Sequence, residues 1–97
     1  MPLQAPESYI EPYRNISASK PRETYSGMVA VLDEAVGNLT SYLKENGLWK
    51  ETIIIFSNDN GGQAYAGGNN LPYRGNKGGY WEGQGLTDYQ LITSLNS

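Results

Sequence analysis

The chain of 97 residues contains no cysteine and no histidine. Those two absences exclude thiolate nucleophiles, thiolate metal sites, disulfides, and imidazole bases or ligands. Any catalysis by the chain's own groups falls to carboxylates, lysine, tyrosine or a bound metal. The redox compartment stays open, because cysteine usage is what would report it. Basic charge is also scarce. Seven Lys and Arg stand against ten Asp and Glu, a net charge of −3, and no basic stripe offers a footprint for nucleic acid. The apolar run Ile53–Phe56 falls far short of the ~20 residues that span a bilayer, so no transmembrane segment is expected. The first residues are polar and broken by prolines, unlike a signal peptide.

A chain of this length allows one small domain with a modest core. Glycine is abundant, at 12 residues. Two N-x-S/T triplets, Asn15-Ile16-Ser17 and Asn38-Leu39-Thr40, mark Asn15 and Asn38 as possible glycosylation sites in a secretory compartment. Asn38 is the better acceptor if its helix face is exposed.

Residues 1–22 carry prolines at 2, 6, 12 and 21 and read as an irregular arm running over a surface. From about Thr24 to Asn46 the pattern becomes helical. Tyr25, Met28, Val29, Leu32, Ala35, Val36, Leu39 and Leu43 recur at steps of three and four and form one apolar stripe. Gly47 is placed to stop the helix, and Lys44 sits in the last turn, where the dipole favours a cation. Gly27 and Gly37 each lower helix propensity by about 1 kcal/mol; they mark close packing or are simply tolerated. A short link, Leu48–Glu51, leads into a strand over about 52–57.

That strand, Thr52-Ile53-Ile54-Ile55-Phe56-Ser57, is apolar on successive residues, as strands buried on both faces of a parallel sheet are. A long helix feeding it predicts an α/β fold. One strand and one helix cannot cover both apolar faces of such a sheet, so the chain reads as a piece of a larger domain. After Gly62 a Gly-rich loop of more than twenty residues runs without period, which in a compact domain signals function or disorder. Residues 84–97 carry no motif.

The strand stops at Asn58-Asp59-Asn60-Gly61-Gly62. In open α/β sheets, ligands bind outside the carboxyl ends of strands, and Asp59 and Asn60 offer hard oxygens that suit Ca²⁺ or Mg²⁺. Spacing alone leaves open an ordinary Asn/Asp/Gly turn. Arg74 and Lys77 on the following loop would suit an anionic oxyester; the alternative is solvated surface charge.

Taken with its surroundings, the stretch resembles the sulfatase family. The likeness is carried by the helix Tyr25–Thr40, Gly47-Leu48-Trp49, the strand Thr52–Ser57 and Asp59-Asn60-Gly61-Gly62. The loop Ala66–Lys77, the triplet Trp81-Glu82-Gly83 and the segment Pro2–Pro6 carry it further. Within the family, the nearest likeness is to the arylsulfatase B (N-acetylgalactosamine-4-sulfatase) branch. The resemblance covers residues 2–83. It implies an alkaline-phosphatase-like α/β fold, with 1–83 as a partial catalytic domain and 84–97 as a divergent tail. The activity it implies is hydrolysis of sulfate esters. In the family a hydrated formylglycine, made from Cys in a Cys-x-Pro-x-Arg motif, attacks sulfur while Ca²⁺ polarises the ester. By position, Asp59 and Asn60 would be calcium ligands and Lys77 would bind the substrate's sulfate.

The departures are large. With no cysteine there is no formylglycine, so no catalytic residue is assigned here. The remaining calcium-site aspartates are also missing, and both ends look truncated. The expectation is therefore a fragment with half a calcium site, inactive on its own. Its partner would be a sulfate ester, such as one on a sulfated glycosaminoglycan, and the family implies a lysosomal or secreted setting. A non-catalytic sulfated-glycan-binding fragment is the alternative. A phosphoesterase of the same superfamily is a third reading, against which the Asn-Asn-x-Pro-x-Arg-Gly-x-Lys loop argues.

Overall fold

The computed structural model describes residues 3–81, 83 and 89–93. Pro2 and Glu82 of the motifs above, with Met1 and most of the tail 84–97, lie outside the described residues. A short helix α1 (Glu7–Ile10) runs into a 3₁₀ turn (Glu11–Tyr13), followed by the long helix α2 (Lys20–Glu45). A second 3₁₀ turn (Trp49–Glu51) then leads into strand β1 (Ile53–Ser57). A single 3₁₀ turn (Ala64–Ala66) interrupts the long loop, and strand β2 spans Tyr89–Thr93.

The N-terminal arm is thus more ordered than its prolines imply. Pro6 caps α1 and Pro12 sits in the first positions of the 3₁₀ turn, where a missing N–H costs nothing because that group has no helical partner anyway. The same physics moves the start of α2 to Lys20, ahead of the expected Thr24. Ser19 is extended and its side chain accepts from the Arg22 N–H at 3.4 Å, with Pro21 in the first turn. Pro21 starts the helix rather than excluding it.

The C-terminal stop is as expected. Gly47 is left-handed, with φ 70°. Its N–H donates to Lys44 C=O at 3.1 Å, and the Leu48 N–H donates to Leu43 C=O at 2.9 Å. This paired 6→1 and 5→2 closure is the Schellman arrangement, which satisfies carbonyls that the helix end leaves open.

The two helical glycines differ. A Cβ on Gly27 would lie 3.0 Å from Ile10 Cγ1 and 3.2 Å from Tyr9 C=O, so Gly27 is where α1 lies on α2. Gly37 has nothing within 4 Å. Alongside Gly27, the Tyr9 hydroxyl donates to the Glu34 carboxylate. That hydrogen bond, then burial and the adjacent negative charge, raises the phenol above its usual range. Asn15, the one non-glycine residue with positive φ (65°) among those described, and Asn38 on α2 are both exposed.

The strand departs from the buried, parallel type. β1 pairs antiparallel with β2 in a two-stranded sheet, Ile53 opposite Thr93 and Ser57 opposite Tyr89. Exposure alternates along it, with Ile53 at 70% and Ile55 at 73%, because successive side chains point to opposite faces. No Cα of helix α2 comes within 8 Å of a Cα in β1. Nothing described covers the outer face, which is why residues apolar enough for a buried strand stand open. The stripe on α2 is in the same position: Met28, Val29, Leu32 and Leu39 are exposed. No apolar side chain is buried among the described residues. The accessible surface of 7468 Å² exceeds the roughly 5,500 Å² of a compact chain of this size. The unmatched apolar faces are those that an α/β sheet would cover with further strands and helices.

Candidate functional site

The carboxyl end of β1 delivers Asn58, Asn60, Gly61 and Gly62 into a cleft of about 540 Å³. Its walls are Tyr25 from the first turns of α2, the strand-end residues Asn58 and Asn60, and the loop residues Asn70, Tyr73 and Lys77. Of the residues expected from sequence, the structure brings Asn60 and Lys77 together in this cleft. Asp59 is exposed and is not among its walls. Asp59 lies in the bend that follows β1 and is exposed, while Asn58 and Asn60 on either side are half-buried and line the cleft. Arg74 is directed elsewhere, its guanidinium lying 4.3 Å from the centre of the Trp81 ring. At that range the ring face attracts the cation, and the contact anchors the loop's far end.

The loop has almost no regular structure, yet its polar groups are paired. The Arg22 guanidinium on α2 donates to Gly67 C=O. Gly67 has φ 91°, and a Cβ there would come within 2.8 Å of Pro21 C=O, so only glycine lets the loop close against the helix start. The Gly83 N–H donates to Arg74 C=O at 2.7 Å. A Cβ on Gly61 would fall 1.7 Å from Gly83 C=O, which excludes any side chain at that position. The centre of the loop is Asn70. Its Oδ1 accepts from the Gly62 N–H at 2.8 Å, and its Nδ2 donates to Gly62 C=O at 2.9 Å and Gly75 C=O at 3.1 Å. The Lys77 N–H donates to the same Gly62 carbonyl at 3.3 Å.

The donor set has the chemistry of a hard-cation site but not its number. Asn60 Nδ2 donates to Gly61 C=O at 2.9 Å, which leaves Oδ1 as the amide's available acceptor. Asp59 adds an exposed carboxylate. Among the described residues no three His, Cys, Asp or Glu side chains cluster as a metal site. Two residues fit part of a Ca²⁺ shell, which takes roughly six to eight oxygens.

Sequence reading missed Asn70, Tyr25 and Asn58 as site residues. Asn58 had a signal, since it shares the strand-end cluster with Asn60. Tyr25 belongs to the apolar stripe, whose period does not show that its hydroxyl end reaches the loop. Asn70 belongs to the Asn-Asn-x-Pro-x-Arg-Gly-x-Lys loop, but only its tertiary pairing with Gly62 reveals its use.

Comparison with known proteins places these features in context. The Sulfatase family model matches residues 1–94. Arylsulfatase J of Mus musculus is 54% identical over 82 residues, covering 84% of this chain and 14% of that protein. A sulfatase of Formosa agariphila is 36% identical over 83 residues, covering 73% of this chain and 15% of the relative. The crystal structure of Ps i-CgsB in complex with k-i-k-neocarrahexaose superposes with TM-score 0.84 at 41% identity, covering 94% of this chain and 20% of that one. The α/β, alkaline-phosphatase-like architecture implied by the motifs is thus the one the chain shares with its structural relatives. The chain spans about a seventh of the length of the curated relatives named here.

Proposed function

The chain belongs to the sulfatase family, and from that premise we propose that it forms one wall of a sulfate-ester hydrolase site. In this reading the cleft of Asn60 and Lys77 receives the sulfate group. The observation that carries it is their convergence on one cleft at the carboxyl end of β1. The Lys77 ammonium attracts the sulfate oxygens and stabilises charge on the departing ester oxygen. Asn60 Oδ1 would supply a hard oxygen for Ca²⁺, which when bound would polarise the ester; the Asp59 carboxylate, exposed outside the cleft walls, would turn inward to join it. The glycines at 61 and 62 let main chain approach the anion closely.

On this reading the 97-residue chain alone does not turn over substrate. The family's formylglycine requires a cysteine that the chain does not contain, so no nucleophilic step is assigned to it. Losing a covalent nucleophile removes the mechanism and not merely part of its rate. The expected result with a chromogenic aryl sulfate and Ca²⁺ is no release of the phenol by the purified chain. Calcium-dependent release would overturn the assignment of chemistry to groups outside it.

The finer assignment follows the motifs. We place the chain near the arylsulfatase B branch, with a sulfated glycosaminoglycan or related carbohydrate as substrate and a lysosomal or secreted setting. The 54% identity to an arylsulfatase supports the arylsulfatase part, and a structural relative solved with a hexaose supports a carbohydrate ester. Exposure of Asn15 and Asn38 supports both as glycan acceptors in that setting. The competing reading, a non-catalytic sulfated-glycan-binding fragment, rests on the same Lys77. Salt-sensitive retention on dermatan sulfate would favour it, and passage through the column would count against it.

A further inference from the structure

We propose that Asn70 is the positioning residue of this cleft, the side chain that sets Lys77 relative to Asn60; the inference rests on the sulfate-site reading above. Lys77 and Asn60 lie on separate segments with no shared secondary structure, so something must hold them in register. The candidates are few. Neither residue's segment is covered by an apolar core, since none is buried among the described residues. What joins them is one main-chain unit, Gly62, held from two sides. Asn70 takes both its N–H and its C=O, and the Lys77 N–H donates to the same carbonyl. The second Nδ2 proton of Asn70 goes to Gly75 C=O, two residues before Lys77. Asn70 therefore grips the strand-end segment and the lysine segment at once.

The demand on this side chain is specific. It must present one acceptor and two donors, and a primary amide does so in a single orientation. Aspartate accepts but does not donate when ionised. Glutamine has the same groups on a longer stem. Alanine leaves the Gly62 N–H, the Gly62 C=O and the Gly75 C=O without this partner. A protonated aspartate presents one donor and one acceptor, enough to restore the two-point grip on Gly62 but not the third bond to Gly75.

The test uses the 97-residue chain, amide hydrogen exchange read residue by residue, and inorganic sulfate as the probe. The Gly62 and Lys77 amides should exchange slowly in the unsubstituted chain. In Asn70→Ala both should lose about tenfold or more in protection, the scale expected when a hydrogen-bonded group is left unsatisfied. Amides in the middle of α2 should not change, and sulfate-induced shifts at Lys77 should fall. In Asn70→Asp, protection at Gly62 should be low at neutral pH and return as the carboxyl protonates, a pH profile absent from the unsubstituted chain and from the alanine variant. Lys77 protection that survives in Asn70→Ala would overturn the inference. So would a Gly62 amide exchanging at the open-chain rate in the unsubstituted chain, or an aspartate variant with no pH dependence. Loss of protection in Asn70→Ala without any sulfate response in the unsubstituted chain would support the positioning role and count against the sulfate reading.

Discussion

The helical arm, residues 7–48, and the loop, residues 58–81, solve opposite problems. Helix α2 is secured by neighbours in sequence, with Ser19 and Pro21 at its start and the Gly47 closure at its end. Its apolar stripe is nonetheless exposed. The loop has one 3₁₀ turn and no period, yet its polar groups meet across distance: Arg22 with Gly67, Asn70 with Gly62 and Gly75, Gly83 with Arg74. Local rules thus build the element that waits for packing partners, and non-local polar pairing builds the cleft. Regular structure and a finished environment are separate achievements in this chain.

The largest expected effect comes from breaking the loop alone. Gly61→Ala puts a methyl group 1.7 Å from Gly83 C=O, so the strand end and residue 83 must separate. Amide dispersion across 58–77 should collapse while the circular dichroism of α2 stays. A loop signature unchanged by the methyl group would show that its pairing is not cooperative.

The next comparison lies inside the helix. Gly37→Ala meets nothing within 4 Å and should stabilise α2 by about 1 kcal/mol, the difference in propensity. Gly27→Ala gains the same propensity but presses on Ile10 and the Tyr9 carbonyl, so its net gain should be smaller and α1 should loosen. Equal helicity gains in a thermal melt of the two variants would remove α1 from the packed part of the arm.

The smallest effect is pH-dependent. The bond to Glu34 raises the Tyr9 phenol above its usual value. A raised acid contributes fully below the unfolded phenol's value, near 10, and its contribution is lost as pH rises through the higher folded value. The α1–α2 contact should therefore loosen only in strong alkali. Tyr9→Phe should remove that alkaline transition from a near-ultraviolet titration.

Much of the arm was legible because its code is short-range. Gly47 stops α2 where expected, and the stripe from Tyr25 to Leu43 is helical throughout. The start of α2 is harder to read, because Pro21 follows three other prolines in an irregular-looking arm, although a first-turn proline favours a helix. Strand β1 was legible, but its environment was not: an Ile-rich run shows what the strand would bury, not what lies beside it. Its partner β2 falls within residues 84–97, which carry no motif. In the cleft, Asn60 and Lys77 were legible from the family motifs. Asn70 was not, because a clasp on Gly62 leaves no periodic trace.

The central claim is that Lys77 and the strand end form one sulfate-receiving cleft. It is tested most directly by titrating the ¹⁵N-labelled chain with inorganic sulfate, alongside Lys77→Ala. Saturable shifts confined to residues 58–62 and 70–77, abolished by the substitution, are the expected result. Shifts that persist in Lys77→Ala, or no saturable response in the unsubstituted chain, would contradict it.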